Sequence, residues 1–402
     1  MDDIVIVGGG LAAATAAETV RTDGFAGRVR LVTEEAERPY ERPPLSKGVL
    51  SGTQAPEEVY VHSAEFYAEH DVELVVADPV VRIDRATSEA VTRAGRRLPF
   101  DRLLLATGAA SRLLPFGAGD NLLTLRTLDD SLRLAERLRT VRHVTIVGAG
   151  WIGCEVAAAA RGHGAQVTMV DPLEVPLARV LGVQVGALFG DLHAAHGVDL
   201  RLGTGVAGFR GGDTVEQVEL GDGSVVDTEL VVLGVGAGPR SELAGACGLD
   251  VDDGVVVDET LTSSDPRILA AGDVARAWHP FYGRHLRVEH WANALHQGRT
   301  AGRNLLGKGE VYERLPYFYS DQYDLGMEYT GFADPADEVV VRGSPEDREL
   351  IAFWLHDDRV AAAMNVNVWD VVDDLEALIG SRAVADRRRL ADPDVPLGDL
   401  VG

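Results

Sequence analysis

Ile4-Val-Ile-Val-Gly-Gly-Gly-Leu-Ala-Ala13 is the stretch that decides the fold. A short apolar strand runs directly into the motif Gly8-x-Gly10-x-x-Ala13, and an alanine-rich helix is expected to follow. Glycines at these positions allow a tight turn and let the backbone approach a pyrophosphate at the N-terminus of the helix. A second strand, Val29–Thr33, ends at Glu34-Glu35, where a carboxylate can accept hydrogen bonds from a ribose. The pattern predicts a dinucleotide-binding β–α–β unit.

The same pattern occurs a second time in the chain. The strand Val144–Val147 leads into Gly148-x-Gly150-x-x-Gly153, a helix, and a further strand that ends at Asp171. Two fingerprints predict two bound dinucleotides, and a structural duplicate that binds nothing is the alternative. Asp171 favours NADH over NADPH, because a carboxylate accepts from the adenosine 2′-hydroxyl and repels a 2′-phosphate. Residues 172–178 offer no arginine or lysine that could receive that phosphate.

Composition restricts the possible functions. A chain of 402 residues is long enough for two or three domains, and its net charge of −25 argues against non-specific binding to nucleic acid or to anionic membranes. No run approaches 18 apolar residues, and the first strand begins almost at Met1, so neither a membrane span nor a signal peptide is expected. We expect a cytoplasmic protein. Cys154 and Cys247 form no closely spaced pair, which excludes a disulfide framework and a close dithiol centre.

A proline-stiffened loop follows the second strand. It reads Arg38-Pro-Tyr-Glu-Arg-Pro-Pro-Leu-Ser-Lys47, and its three prolines exclude a regular helix. Lys47 and Lys308 are the two lysines among the 38 basic residues of the chain. Because lysine and arginine are not interchangeable, Lys47 is a candidate site residue together with Arg42. The alternative is a chance surface lysine.

Three further apolar strands end at residues that suit a cofactor. They are Leu103–Gly108, which stops at Thr107-Gly108, Leu230–Gly236, and Ile268–Asp273. Asp273 could accept hydrogen bonds from a sugar-alcohol chain, and a role as a helix N-cap would be compatible with this. From about residue 316 the character changes. An aromatic stretch, alternating strands, a helix near residues 370–379 and an irregular tail are predicted there.

Taken together, the motifs GGGLAA, RPYERPPLSK, LLLATGA, GAGWIGCEVAA, ILAAGDVA and VEHWANALHQG resemble the FAD-dependent ferredoxin reductases of bacterial oxygenase systems. Oxidoreductases like apoptosis-inducing factor share them. The resemblance covers essentially the whole chain and implies a glutathione-reductase-like α/β fold. It implies a discontinuous FAD-binding domain at residues 1–109 and 241–316, an NAD-binding domain at 110–240, and a C-terminal α+β domain at 317–402.

The resemblance also implies roles for individual residues. Lys47 and Glu155 match the family positions that form an ion pair beside flavin N5, and an ordinary helix-surface carboxylate is the alternative for Glu155. The implied cofactor-binding residues are Gly8, Gly10, Ala13, Glu34, Glu35, Arg42, Lys47, Val80, Thr107, Gly108, Arg126, Asp273, Glu289, His290, Trp291, Tyr319, Gly148, Gly150, Ile152, Gly153, Glu155, Asp171 and Gly236. No metal site is implied.

The cysteines limit the electron acceptor. Disulfide-reducing relatives use a cysteine pair near the flavin, and peroxide-reducing relatives use one in the loop after the second strand. That loop reads Leu45-Ser-Lys47 here, and Cys154 is expected to be a small buried residue. Electrons from NADH would therefore leave FAD directly for a one-electron carrier, which indicates an NADH:ferredoxin oxidoreductase with a 2Fe–2S ferredoxin that supplies a haem monooxygenase or a ring-hydroxylating dioxygenase.

Two questions stay open at this point. The arginines around Trp291, namely Arg284, Arg287, Arg299 and Arg303, could form a ferredoxin-docking surface or a solvated helix face. The acceptor could instead be a quinone or another small molecule. An apoptosis-inducing-factor-like signalling protein, whose oligomeric state changes with NADH, is a further alternative. We expect a monomer or a weak homodimer.

Overall fold

The computed structural model describes residues 1–117 and 119–400. Val401 and Gly402, the last two residues of the predicted C-terminal domain, lie outside the described residues, as does Ala118 of the predicted NAD-binding domain. The chain divides into two compact units. The first contains Met1–Arg42, Glu57–Ala110 and Ala237–Arg314, and the second contains Pro43–Pro56, Ser111–Gly236 and Leu315–Gly402.

Helices are separated by one or more strands in most of the chain, and the longest runs of strands without an α-helix are β3 to β9 and β12 to β17. The strands are β1 (Asp3–Val7), β2 (Arg28–Val32), β3 (Val72–Val75), β4 (Val80–Asp84), β5 (Glu89–Thr92), β6 (Arg97–Pro99), β7 (Arg102–Leu105), β8 (Ala109–Ser111), β9 (Leu122–Thr124), β10 (His143–Val147), β11 (Gln166–Asp171), β12 (Val198–Leu202), β13 (Val206–Gly211), β14 (Val215–Leu220), β15 (Val225–Asp227), β16 (Leu230–Leu233), β17 (Ala237–Pro239), β18 (Val255–Val257), β19 (Ile268–Ala270), β20 (Ala275–His279), β21 (Arg284–Leu286), β22 (Tyr317–Gln322), β23 (Leu325–Gly331), β24 (Glu338–Ser344), β25 (Glu349–His356) and β26 (Arg359–Val366). The helices are α1 (Leu11–Thr22), α2 (Gly48–Ser51), α3 (Ala64–Glu69), α4 (Leu128–Leu138), α5 (Trp151–Gly162), α6 (Ala178–Ala195), α7 (Glu242–Ala246), α8 (Trp291–Leu305), α9 (Val372–Ser381) and α10 (Arg387–Ala391).

The first unit is built on a five-stranded sheet in the order β19-β7-β1-β2-β3. All of its strand pairs are parallel. The apolar runs predicted from the sequence form its centre, because both faces of a parallel sheet are covered and its strands are buried on each side. Ile4, Val5 and Ile6 are fully buried, as are Leu103 and Leu104. Two small sheets, β4-β5-β6 and β18-β20-β21, complete the unit.

Helices α1 and α8 pack closely because small residues line their contact. A Cβ atom added at Gly298 of α8 would lie 2.7 Å from the Ala12 carbonyl oxygen and 3.1 Å from Thr15 Cβ. Glycine at this position therefore brings the backbone of α8 against α1.

The second unit contains a parallel sheet in the order β12-β11-β10-β16-β9, with the antiparallel sheet β13-β14-β15. Its C-terminal part is a five-stranded antiparallel sheet in the order β22-β23-β26-β25-β24. Trp354, Phe353 and Met364 of this sheet are fully buried. The strands predicted here are confirmed, and the aromatic stretch forms β22. No helix among residues 1–117 and 119–400 is long and apolar enough to cross a membrane.

We predict that Gly298→Ala destabilises the protein. The new methyl group would press on backbone atoms of α1, and overpacking of this kind costs about 1–3 kcal/mol. Gly162→Ala is the matched control, because Gly162 is also helical but an added Cβ there meets nothing within 4 Å. Thermal unfolding should show a Tm lowered by roughly 5 °C for Gly298→Ala. The control should keep or raise the Tm, and equal Tm values would contradict the close contact.

Candidate functional site

The first glycine turn has the shape that a pyrophosphate requires. Gly8 has φ +139°, and a Cβ atom there would collide with the Ala106 carbonyl oxygen. At Gly10 an added Cβ would meet nothing within 4 Å, so the space beside this turn is open. Gly10 is the N-cap of α1 and supplies no side-chain cap. Ala13 is fully buried, which brings the helix close to the sheet.

The predicted acids after β2 have different partners. Glu35 accepts a hydrogen bond from Arg42 Nη2 at 3.0 Å and another from the Tyr40 hydroxyl. Glu34 forms ion pairs with Arg240 and, at 3.7 Å, with Arg93. The structure thus brings Glu35 and Arg42 together.

Asp273 lies close to Arg42. Burial lowers the pKa of Arg42, but Tyr40, Glu35 and Asp273 outweigh burial and raise it overall. Asp273 sits inside the 3-10 helix Gly272–Val274, whose N-cap is Ala271. Asp273 is therefore not the N-cap of this 3-10 helix, and its role toward a sugar-alcohol chain stays a prediction.

Three other predicted positions, Thr107, Gly108 and Val80, lie in the first unit. Thr107 Oγ1 donates to the Arg240 carbonyl oxygen at 2.7 Å, and the Arg240 amide donates to the Gly108 carbonyl oxygen at 2.9 Å. Val80 begins β4 and is buried. Arg240, which ties this turn to Glu34, was not predicted, because nothing in its local sequence distinguishes it.

The predicted triplet at the start of α8 contains a neutral imidazole. His290 is the N-cap of α8, Trp291 is its first residue, and Glu289 is paired with Arg287. Burial lowers the pKa of His290 to about 4, against an opposing effect of the Asp273 carboxylate. His290 and Asp273 are therefore neighbours.

The second glycine turn repeats the geometry of the first. Gly148 has φ +105°, and a Cβ atom at Gly148 or Gly153 would collide with a backbone carbonyl oxygen. Cβ atoms at Gly150 and Gly236 would meet nothing within 4 Å. Ile152, in the first turn of α5, is 39% exposed.

Asp171 holds this turn in place. Its Oδ2 accepts from the Ala149 amide at 2.8 Å and its Oδ1 accepts from the Leu173 amide at 2.8 Å. Each carboxylate oxygen keeps a further lone pair that can receive a hydroxyl group.

Lys47 and Glu155 form a buried ion pair. Lys47 Nζ lies 2.5 Å from Glu155 Oε1, and the side chains are 19% and 5% exposed. Neither residue is an ordinary surface group, so the alternatives of a chance surface lysine and a helix-surface carboxylate are both wrong. Lys47 Nζ also lies 5.5 Å from the ring centroid of Tyr319, another predicted residue.

Two serines complete this cluster. Ser46 Oγ donates to Glu155 Oε2 at 2.5 Å, and Ser320 Oγ donates to Glu155 Oε1 at 2.7 Å. Both serines are buried. Sequence reasoning missed them, although Ser46 stands next to Lys47 and Ser320 next to Tyr319. Arg126, also in the second unit, donates its backbone amide to Asp130 Oδ2 at 3.0 Å.

Comparison with known protein families identifies the family of this chain. The family profile described as pyridine nucleotide-disulphide oxidoreductase matches residues 2–298, and the profile described as reductase C-terminal matches residues 317–401. The chain belongs to the pyridine nucleotide-disulphide oxidoreductase family. Membership makes the protein an oxidoreductase enzyme and implies the use of FAD and a nicotinamide dinucleotide.

Individual members of the family are similar to this chain over its full length. The chain is 36% identical to putidaredoxin reductase of Pseudomonas putida, with 100% of this chain and 97% of the relative covered. It is 34% identical to the ferredoxin–NAD(+) reductase component of the biphenyl dioxygenase system of Paraburkholderia xenovorans, with 100% and 98% covered. The crystal structure of the covalent putidaredoxin reductase–putidaredoxin complex contains a chain with a TM-score of 0.96 and 37% identity, covering 100% of this chain and 98% of that one. The expected resemblance and fold class are confirmed.

The residues of the first unit fit FAD, the flavin that this family uses. The open turn at Gly10 leaves room for a pyrophosphate at the N-terminus of α1. Glu35, Arg42 and Asp273 gather charged groups next to one another in the same unit. The open turn at Gly150, braced by Asp171, fits a second dinucleotide in the same way.

The two cysteines of this protein are not suited to thiol chemistry. Cys154 is fully buried inside α5, where its thiol donates to the Ala149 carbonyl oxygen at 3.7 Å and burial raises its pKa. Cys247 is half-buried, and both cysteines are free. A raised pKa disfavours the thiolate, which is the reactive form.

We predict that the Lys47–Glu155 pair behaves as a coupled unit in stability measurements. Lys47→Met would leave a buried carboxylate without its cation, which costs about 3–5 kcal/mol in general. We expect the lower end, because the two serine donors remain. The double variant Lys47→Met/Glu155→Gln should recover most of the lost Tm. Additive losses in this double-mutant cycle would show that the pair is not coupled.

Proposed function

We propose that the protein is an NADH-dependent ferredoxin reductase that supplies an oxygenase. NADH would be the two-electron donor and two 2Fe–2S ferredoxins the one-electron acceptors, with FAD supplying the change from two-electron to one-electron transfer. The terminal enzyme is a haem monooxygenase or a ring-hydroxylating dioxygenase. One observation carries this proposal. The loop after β2 presents the buried Lys47–Glu155 pair where a thiol-dependent reductase would need cysteine, and the nearest cysteine in sequence to Glu155, Cys154, is sealed in the core.

When bound, FAD can accept a hydride, which carries two electrons, and can release electrons one at a time. We propose that the first glycine turn, Glu35, Arg42 and Asp273 hold it. Lys47 would supply a positive charge that stabilises negative charge developing on the flavin. Because Glu155 and its serine donors fix the ammonium group beforehand, that stabilisation needs no reorganisation during the reaction.

NADH is the proposed electron donor because of Asp171. Its carboxylate is partly buried at the end of β11, and the amide bonds from Ala149 and Leu173 prevent it from turning away. A 2′-phosphate placed here would meet a fixed negative charge.

The ferredoxin partner is proposed from the names of the relatives and from the charge distribution. The net charge of −25 opposes an acidic ferredoxin, so a local positive surface must guide the encounter. Of the predicted arginines, Arg303 is paired with Glu310 at 2.8 Å, and Arg287 is paired with Asp253 at 3.1 Å and with Glu289. Their charges are compensated.

Arg299 differs from these two arginines. It is exposed on α8. Burial lowers the pKa of His296 to about 4, and the charges of Arg314 and Arg299 contribute to this shift. Two cationic groups therefore act on the same imidazole. We propose that Arg299 and Arg314 form the centre of the docking surface, with Arg284, Arg287 and Arg303 at its edge.

The remaining predictions are kept as proposals. The three-domain division at residues 1–109 with 241–316, 110–240 and 317–402 stays a proposal, and the family profiles, which end at residue 298 and begin at residue 317, support the start of its last domain. A cytoplasmic location suits NADH as donor and two free cysteines. We propose a monomer or a weak homodimer.

The first test is NADH-driven reduction of cytochrome c with and without a 2Fe–2S ferredoxin. We expect strong stimulation by ferredoxin, and a preference for NADH over NADPH of at least about tenfold, which corresponds to roughly 1.4 kcal/mol of repulsion at Asp171.

Two results would contradict the proposal in different ways. Rapid reduction of quinones without any effect of ferredoxin would assign a small-molecule acceptor. Slow turnover with every acceptor, combined with an NADH-dependent change in size-exclusion volume, would assign a signalling role.

The docking surface generates a separate prediction. Arg299→Gln should raise the KM for ferredoxin about five- to tenfold and weaken its dependence on salt, because a peripheral charge mainly sets the association rate. Arg303→Gln, one helical turn away but already paired with Glu310, is the matched control and should change KM less than twofold. Equal effects of the two substitutions would rule out Arg299 as the centre of the surface.

A further inference from the structure

A chain of hydrogen bonds connects Glu155 to the turn between β22 and β23. Ser320 Oγ donates to Glu155 Oε1, and Gln322 Nε2 donates to Ser320 Oγ at 3.2 Å. Gln322 Oε1 lies 3.0 Å from His193 Nε2, and His193 Nδ1 lies 3.2 Å from the Tyr323 hydroxyl. Ser320 and His193 are fully buried and Gln322 is 1% exposed, so water cannot substitute for these contacts.

The chemistry of the groups fixes the direction of every bond. A carboxylate only accepts, so Ser320 gives its proton to Glu155 and receives a bond from the amide nitrogen of Gln322. The amide oxygen of Gln322 then needs a donor, which must be His193 Nε2–H. In a neutral imidazole the other nitrogen accepts, and the Tyr323 hydroxyl donates to it. All four donors therefore point toward the carboxylate.

His193 is neutral, as this arrangement requires. Burial lowers its pKa to about 4, the bond with Gln322 opposes this effect, and the nearby His196 reinforces it. A doubly protonated ring would present a donor to Tyr323 as well and would reverse the last bond of the chain.

The outer end of the hydrogen-bond chain, at Tyr323, is held in a strained conformation. Tyr323 has φ +57°, which is uncommon for a bulky residue. Its ring stacks on His196 at a centroid distance of 3.7 Å and an interplanar angle of 9°. Strained backbone persists only where the surrounding contacts enforce it. Here the stack and the bond to His193 are those contacts.

This series of hydrogen bonds is unsuited to carrying protons. Gln322 stands in its middle, and an amide would have to pass through an imidic acid form to relay a proton. Its remaining physical effect is to orient groups.

We propose that His193 is a positioning residue that acts through Gln322 and Ser320 to hold Glu155 in the geometry that anchors Lys47. Among the described residues, Glu155 is the one acidic group within ion-pair distance of Lys47. A rotation of Glu155 would therefore release the ammonium group. This inference rests on the proposed function only for its kinetic consequence, because the hydrogen-bond chain exists in the protein itself.

Two polar substitutions of similar size separate the roles of the two ring nitrogens. The amide of His193→Gln reaches the position of Nε2 and keeps a donor for Gln322. The shorter amide of His193→Asn reaches only the position of Nδ1 and leaves Gln322 Oε1 unpaired. Tyr323→Phe is the control for the outer end, because it keeps the stack on His196 and removes only the hydroxyl.

The experiment measures stopped-flow reduction of the bound flavin by NADH over a range of concentrations. His193→Asn and Ser320→Ala should lower the limiting rate about five- to twentyfold with an unchanged apparent Kd for NADH. His193→Gln should stay within about twofold of the wild type. Equal rates for His193→Asn and the wild type, or equal losses for the Asn and Gln variants, would overturn the proposal.

A second readout is independent of the reaction. Long-range ¹H–¹⁵N spectra of histidine-labelled protein should show His193 as the neutral Nε2–H form from pH 6 to 8. A protonated ring, or the Nδ1–H form, would overturn the directed chain. If the spectra agree but Lys47→Met leaves flavin reduction unchanged, the proposed role of Lys47 fails and the assignment of His193 as an anchor of Glu155 remains.

Discussion

The buried carboxylate of Glu155 is the constraint on which the second unit depends. Taking a charged group out of water costs several kcal/mol, and the cost is offset only when a cation and hydrogen-bond donors are placed around it. Here the carboxylate stands on the helix α5, and the cation and donors come from two distant parts of the chain, Ser46-Lys47 and the strand β22. None of these segments can satisfy the carboxylate alone, so the loop, the dinucleotide-binding sheet and the C-terminal sheet must assemble around it together.

Helix α6 provides the second connection within this unit. Its regular geometry is interrupted at Gly182, which has φ +76° and ψ 176°. Next to the interruption, the Leu181 carbonyl oxygen accepts from the indole nitrogen of Trp354 in β25 at 3.3 Å. An added Cβ at Gly182 would collide with the Pro335 carbonyl oxygen. The same helix carries His193, whose ring it places between Gln322 and Tyr323.

The sequence predicted those features whose cause is local. The turns require glycine at Gly8 and Gly148, where φ is positive and an added Cβ would collide with a carbonyl oxygen, and the apolar runs form buried strands. Charge partners could not be predicted in this way, because an ion pair depends on residues that are far apart in the chain. Arg303 and Arg287 looked like free cations beside Trp291, but Glu310 and Asp253 compensate them. Ser46 and Ser320 were missed for the same reason, since a serine gives no signal until the carboxylate that it contacts is known.

The choice of lysine at residue 47 follows from the way Glu155 is already bonded. An arginine side chain typically binds a carboxylate through two parallel N–H···O bonds, one to each oxygen. Ser46 already donates to Oε2 and Ser320 to Oε1, so a guanidinium group would have to share both oxygens with buried serine donors. An ammonium group needs only Oε1, and two of its three N–H bonds remain to be directed elsewhere. A chain that otherwise relies on arginine thus keeps a lysine where contact with one oxygen is sufficient and a compact, orientable positive charge is needed.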